Sequence, residues 1–237
     1  MHAHVLMLSS SRAGSEDYLE HAKSFLFGHL GDNREILFVP YAGVTVNWDA
    51  YCEKVAQALP EFNIRGLHTY DDPAAALNQA KNNHQAIVVG GGNTFSLLHT
   101  LYQQDLMGTL KSVVTNGTPY IGWSAGANIC GLTIRTTNDM PIIEPPSFEA
   151  LGFINCQLNP HYSNFAPSGH NGETRDQRLA EFTALNPETA VIGIPEGTAL
   201  SLTEGRLTLL GDVEGFVFVG EEKTAIQPTA DLSEYIR

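Results

Sequence analysis

Thr118-Pro-Tyr-Ile-Gly-Trp-Ser-Ala-Gly126 is the stretch on which the reading of this chain turns. Its first half is a short apolar run with the character of a buried strand. Its second half, Gly122-Trp-Ser124-Ala-Gly126, follows the G-x-S-x-G pattern of a nucleophile elbow. The pattern has a mechanical basis. A serine at the tip of a tight strand-to-helix turn takes a strained backbone conformation, and flanking glycines let the helix pass close to the strand. The hydroxyl is then pushed out of the packed sheet, and the amide of the next residue, Ala125, faces the space where an oxyanion would develop. The plainer reading makes Ser124 only the cap of the following helix. A strand before the turn, a helix-compatible run through residues 127–130 after it and a second glycine-rich turn upstream favour the elbow.

Working outward from this turn, strand-like and helix-like runs alternate. Residues 4–8, 35–39, 64–67 and 86–89 are short apolar strands, and residues 17–27, 48–59 and the segment after Pro73 carry apolar residues at helical spacing. Near-continuous apolar strands separated by helices predict a parallel sheet covered on both faces, so the fold class is α/β, a doubly wound, mostly parallel sandwich in a single domain. Gly90-Gly-Gly92-Asn-Thr-Phe95 ends the strand at 86–89 and opens a helix through Leu101. It is neither a dinucleotide fingerprint nor a P-loop, because the G-x-G-x-x-G spacing and a Gly-Lys-Ser/Thr sequence are both missing. By itself it reads as a tight turn with a helix cap. Beside the elbow, Gly92 is a suitable donor of a second oxyanion-hole amide.

Downstream, residues 131–153 have little periodicity and hold Asp139. A short strand at 155–158 ends at Asn159-Pro-His161, which places His161 where a general base belongs, although a lone histidine is more often a surface residue. The loop 162–172 is rich in Ser, Asn, Pro and Gly and lies where it could cover a site. A helix from 173 to 182 carries Arg175 and Arg178, which on composition alone are solvated charges. Runs at 191–194, 199–202, 207–210 and 216–219 are short strands between turns, read as an antiparallel C-terminal extension on the edge of the sheet. Glu196 sits in the turn Pro195-Glu-Gly197.

Composition removes several function classes. The 237 residues carry 13 Lys and Arg against 26 Asp and Glu, a net charge of -13, so the clustered cations that nucleic-acid phosphates need are lacking. The same charge repels an anionic substrate, which a local cation would then have to recognise. No apolar stretch is long enough to span a bilayer, and the first residues lack a signal-peptide pattern, so the expectation is a soluble, cytoplasmic protein with no membrane partner. Cys52, Cys130 and Cys156 show no C-x-x-C spacing, so neither a disulfide framework nor a zinc site is suggested, and no cofactor is expected.

Several segments in order, Gly90-Gly-Gly-Asn-Thr-Phe95, Tyr120 to Asn128, Thr133-Ile-Arg-Thr-Thr-Asn-Asp-Met-Pro141, Asn159-Pro-His161, Gly169-His-Asn-Gly-Glu-Thr-Arg175 and Pro195-Glu-Gly197, resemble the peptidase E family of bacterial α-aspartyl dipeptidases. The resemblance implies a metal-free serine peptidase that releases N-terminal aspartate from Asp-X dipeptides. It also implies a sheet related to class I glutamine amidotransferases and a homodimer. Carried over residue by residue, it makes Ser124 the nucleophile, His161 the base, Asp139 and Glu196 candidate acids, and Arg175 a candidate reader of the substrate carboxylate. Ser124, Asp139, His161 is the chain order of α/β-hydrolases, whereas Ser124, His161, Glu196 is that of the amidotransferase-like relatives. We favour Glu196 as the partner of His161, with Asp139 holding the substrate ammonium or bracing the site. Two alternatives stay open at the level of sequence. One is a relative acting on β-linked aspartyl bonds, as in cyanophycin, or a carboxylesterase with the same elbow. The other is a non-catalytic sheet protein binding a small anion at residues 90–93.

Overall fold

The computed structural model describes residues 3–169 and 171–236; the reading of the first two residues and of His170 within the 169–175 motif lies outside the described residues. Five strands form the parallel centre: β1 (Val5–Leu8), β2 (Glu35–Val39), β3 (Asn63–Gly66), β4 (Gln85–Val89) and β5 (Tyr120–Trp123). With β8 (Ala199–Thr203) and β9 (Arg206–Leu210) they make a seven-stranded sheet in the order β3-β2-β4-β5-β1-β8-β9, the last two antiparallel. A second, four-stranded sheet has the order β11-β10-β7-β6 and comprises β6 (Gln157–Asn159), β7 (Val191–Gly193), β10 (Gly215–Val219) and β11 (Glu222–Ile226).

The central strands are apolar on both faces because both are covered. On one side Leu6, Leu8, Ile36, Phe38, Val88, Ile121 and Trp123 pack against α1 (Lys23–Leu30) and α2 (Trp48–Ala58) through Leu26, Leu30, Tyr51 and Val55. On the other, Val5, Met7, Leu37, Val39, Ile87 and Val89 meet α3 (Pro73–Gln79), α4 (Thr94–Gln103), α5 (Met107–Thr115) and the short α6 (Ala125–Asn128). The second sheet joins this same core through Leu158, Ile192 and Val217. Its outer face packs Tyr162, Val191 and Phe218 against Leu179 of α7 (Arg175–Leu185). Among the described residues no helix is long and apolar enough to cross a membrane.

Three sequence expectations need correction. The four C-terminal runs do not form one edge extension: β8 and β9 extend the central sheet, but β7 and β10 belong to the second sheet, where β7 pairs in parallel with β6. Strand propensity specifies a ladder but not its partner. The first helix begins at Lys23 and not near Asp17, because residues 17–22 fold as turns in which Leu19 has φ +62° and its amide bonds back to Ser11 O at 2.8 Å. Two elements escaped notice: α5, whose Leu110 and Val114 are its buried face, and β11, where only Ile226 is buried and the alternating apolar signal is missing.

Candidate active site

The turn from β5 into α6 is built by close backbone approach. A Cβ on Gly126 would lie 2.2 Å from Val89 O, and one on Gly122 would lie 2.2 Å from Gly126 O, so any side chain at either position forces the helix off the sheet. Ser124 sits between them with φ +54° and ψ -111°, a backbone region that costs of order 1–3 kcal/mol for a non-glycine residue. Its amide bonds to Leu8 O at 3.1 Å, which ties the tip of the turn to β1.

Gly91 and Gly92 lie against this tip. A Cβ on Gly91 would be 2.9 Å from Ser124 Cβ, and Gly92 has φ +141° with its hypothetical Cβ 2.1 Å from Ala42 O. Only glycine passes through that gap. The turn is closed by Asn93, whose amide bonds to Ala42 O at 2.9 Å and whose side chain caps α4 by accepting from Ser96 N at 3.0 Å. Tyr51 connects the two backbone segments: its hydroxyl donates to Gly91 O at 2.8 Å and accepts from Trp123 Nε1 at 3.3 Å. The amides of Gly92 and Ala125 take no part in the turn, loop and cap hydrogen bonds formed among the described residues.

His161 arrives from the second sheet, two residues past β6, also with φ +54°. Its amide donates to Ser9 Oγ at 2.9 Å, and the Ser9 hydroxyl donates to Ile194 O at 2.8 Å. Fully buried Ser9 at the end of β1 therefore pins the loop after β6 to the loop after β7, within reach of the elbow. Nε2 of His161 lies 3.0 Å from Ser124 Oγ, and Nδ1 lies 2.8 Å from Glu196 Oε1. An ionised carboxylate only accepts, so Nδ1 carries the proton and Nε2 is left as the acceptor facing the serine. Glu196 is set by the 195–198 turn, where Thr198 bonds Pro195 O through both its amide and its hydroxyl and Gly197 has φ +84°. His161 and Glu196 are both partly solvated.

Asp139 is held elsewhere. Its Oδ2 accepts from Thr94 N at 2.7 Å and from Thr94 Oγ1 at 2.5 Å, and Asn93 Nδ2 donates to Met140 O at 2.9 Å. These bonds clamp the irregular 131–153 segment onto the start of α4, directly behind the glycine turn. The carboxylate is a brace for that turn and not a partner of His161.

Arg175 opens α7 and does not line the cleft that holds Ser124 and His161. Its guanidinium is pushed below its ordinary value first by burial and then by the neighbouring charge of Arg178. The adjacent Asp176 accepts a short hydrogen bond from the Tyr162 hydroxyl and pairs with Lys223 at 2.7 Å. Tyr162 follows His161 directly and packs on Phe216 and Phe218 of β10, so the histidine is anchored from behind by the second sheet. Burial, then the hydrogen bond to Asp176, raises the Tyr162 phenol to about 12.

Sequence reasoning missed Ser9, Tyr51 and Tyr162 as supports. Ser9 had a signal, since ligand sites in open α/β sheets lie beyond the carboxyl ends of the strands. Tyr51 had none, being one aromatic residue on an amphipathic helix. The cleft itself has a volume of about 480 Å³ and is lined by Ser124, His161, Gly91 and Gly92, by residues 42–46 of the loop after β2, and by Tyr18, Tyr51 and Lys54.

Residues 5–210 match the family model described as peptidase family S51. Two curated relatives cover the whole chain and are covered whole by it: peptidase E of Shewanella amazonensis, 51% identical over 239 residues, and peptidase E of Shewanella oneidensis, 50% identical over 240. Among solved structures, a peptidase from an acI-B1 actinobacterium superposes with a TM-score of 0.70 at 18% identity, covering 97% of this chain and 96% of that one. A protein described as a putative peptidase E from Listeria monocytogenes gives a TM-score of 0.57 at 20% identity, covering 96% and 99%. At these identities the two superpositions speak to the fold, while the full-length relatives and the family model speak to descent: the chain belongs to peptidase family S51.

Proposed function

We propose that this peptidase is a serine dipeptidase that hydrolyses Asp-X dipeptides through an acyl-enzyme intermediate. The observation that carries the mechanism is the hydrogen-bonded series Ser124 Oγ, His161 Nε2, His161 Nδ1, Glu196 Oε1, at 3.0 and 2.8 Å, opening into a cleft beside two unused amides. Ser124 Oγ attacks the peptide carbonyl carbon while His161 Nε2 takes its proton. The carbonyl oxygen becomes an oxyanion between the Gly92 and Ala125 amides, each worth about 3 kcal/mol in the transition state. As the C–N bond breaks, the imidazolium returns that proton to the leaving amine. Water, giving a proton to His161 Nε2, then attacks the carbonyl of the Ser124 ester; the C–Oγ bond breaks, the imidazolium protonates Ser124 Oγ, and aspartate leaves. Glu196 holds the ring in the tautomer this cycle needs.

Support for aspartate at the N-terminal position comes from the motifs shared with the peptidase E family, whose name the full-length relatives carry. The test is hydrolysis of Asp-Leu, β-Asp-Arg and a simple ester by wild type and Ser124→Ala, with labelling by a serine-directed phosphonate. Wild type should cleave Asp-Leu best, Ser124→Ala should lose about 10⁴-fold or more, and label should appear on Ser124 alone. Activity retained by Ser124→Ala would overturn the mechanism, and preference for β-Asp-Arg or the ester would overturn the substrate assignment.

A further inference from the structure

A dipeptide with N-terminal aspartate brings two carboxylates and one ammonium into a protein whose net charge is -13, so a cation must stand in the cleft to offset the general repulsion. Arg175 does not line the cleft, and among the described residues its lining contains one lysine or arginine, Lys54 of α2. No carboxylate of the described residues lies within ion-pair distance of the Lys54 ammonium. Its contact is instead with an aromatic face: Nζ sits 4.1 Å from the centroid of the Tyr18 ring. A cation over a ring is held in place without being neutralised, which leaves its remaining N–H donors for an incoming anion.

Two ties register this ammonium to the reacting centre. Tyr18 meets Trp123, the residue before the nucleophile, edge to face with centroids 6.5 Å apart. Tyr51, three residues before Lys54 and hence on the same side of α2, bonds Gly91 O beside the elbow at 2.8 Å. Helix, aromatic wall and elbow are thus packed against one another.

We propose that Lys54 is the substrate-carboxylate anchor of the cleft, an assignment that rests on the dipeptidase reading above; it selects for acidic dipeptides if the carboxylate it holds is that of the aspartate side chain. The shared chemistry is a carboxylate on the ammonium; the side-chain carboxylate of aspartate and the C-terminal carboxylate of the dipeptide are its two sources.

Binding of Asp-Leu, Asp-leucinamide and Asn-Leu to Ser124→Ala is measured by calorimetry, with Lys54 present and with Lys54→Met, which keeps an unbranched apolar side chain and removes the charge. Lys54→Met should weaken Asp-Leu by about tenfold or more, as expected for loss of a charge-assisted hydrogen bond. The one ligand that lacks the anchored carboxylate should bind equally well to both proteins, which identifies the source, and Lys54→Arg should recover part of the loss. Equal binding of Asp-Leu with and without the lysine, or equal weakening of all three ligands, overturns the anchor while the dipeptidase reading stands. Failure of Ser124→Ala, shown to be folded by circular dichroism, to bind any of the three would overturn that reading and the anchor with it.

Discussion

The two halves of the candidate site are built on opposite plans. Ser124 and the glycine turn rest on the buried centre of the parallel sheet, held by backbone atoms that approach within a glycine's reach of one another. His161 and Glu196 stand on turns after β6 and β7 of the second sheet, partly solvated and positioned by side-chain bonds through Ser9 and Tyr162. The nucleophile is therefore fixed by steric exclusion and the acid–base pair by a few polar tethers. In the first half a substitution at either elbow glycine, Gly122 or Gly126, should break the fold. In the second it should break the chemistry and leave the fold.

The largest effect should follow Gly126→Ala. Its Cβ would meet Val89 O at 2.2 Å, backbone against backbone with no flexible side chain to yield. Overpacking of this kind exceeds the usual 1–3 kcal/mol, and a loss of about 4–5 kcal/mol lowers the melting temperature by roughly 10 °C or more. A melting curve close to wild type would show that the elbow is not held as described.

Glu196→Gln should act in the opposite manner. Thermal stability should stay within about 0.5 kcal/mol of wild type, because the side chain is half-exposed. Turnover should fall about 10²- to 10⁴-fold, because a neutral amide no longer fixes the tautomer of His161. Asp139→Asn sharpens the contrast: it loses a charge-assisted acceptor for Thr94, so about 1–3 kcal/mol of stability should go, with a smaller loss of turnover than Glu196→Gln causes. Urea denaturation alongside kcat for the two variants checks both, and a larger catalytic loss in Asp139→Asn would exchange their roles.

The effect that is smallest at neutral pH concerns acid. His29 of α1 meets the Tyr120 backbone at the start of β5 and packs against His4, with ring centroids 3.7 Å apart and the planes tilted by 31°. Burial, then His4, depress it from its ordinary 6.5 to about 3, against weaker upward pulls from the Tyr120 and His4 backbones. The folded state keeps this histidine neutral while the unfolded chain takes up a proton below about 6.5. Stability should therefore decline as pH falls from about 6.5 toward 3, and His29→Gln should flatten that slope. Denaturant midpoints at stepped pH read the effect, and an unchanged slope would remove His29 from the nucleophile half's acid sensitivity.

The nucleophile half was legible because its signals are local. Gly122, Ser124 and Gly126 lie within five residues, and the strand before them is too apolar to be anything but buried. The alternation of strands and helices likewise announced the doubly wound sheet. The second sheet was not legible. Runs such as Val191–Gly193 and Gly215–Val219 carry strand propensity, but their partners are chosen by which face of the core is still uncovered.

The acid shows the same boundary. Asp139 and Glu196 were both open to the role by residue type and chain order, and what separates them is that Thr94 already occupies one carboxylate while His161 meets the other. Arg175 and Lys54 differ in the same way, since only a packed α2 puts one of them on the cleft wall. The amino-acid sequence alone determined where backbone must bend, where glycine is obligatory and which face is apolar, because those are steric and solvation properties of neighbouring residues. The tertiary structure decided which polar groups meet, because a hydrogen bond between residues 35 or 152 positions apart depends on distances that only the assembled core sets.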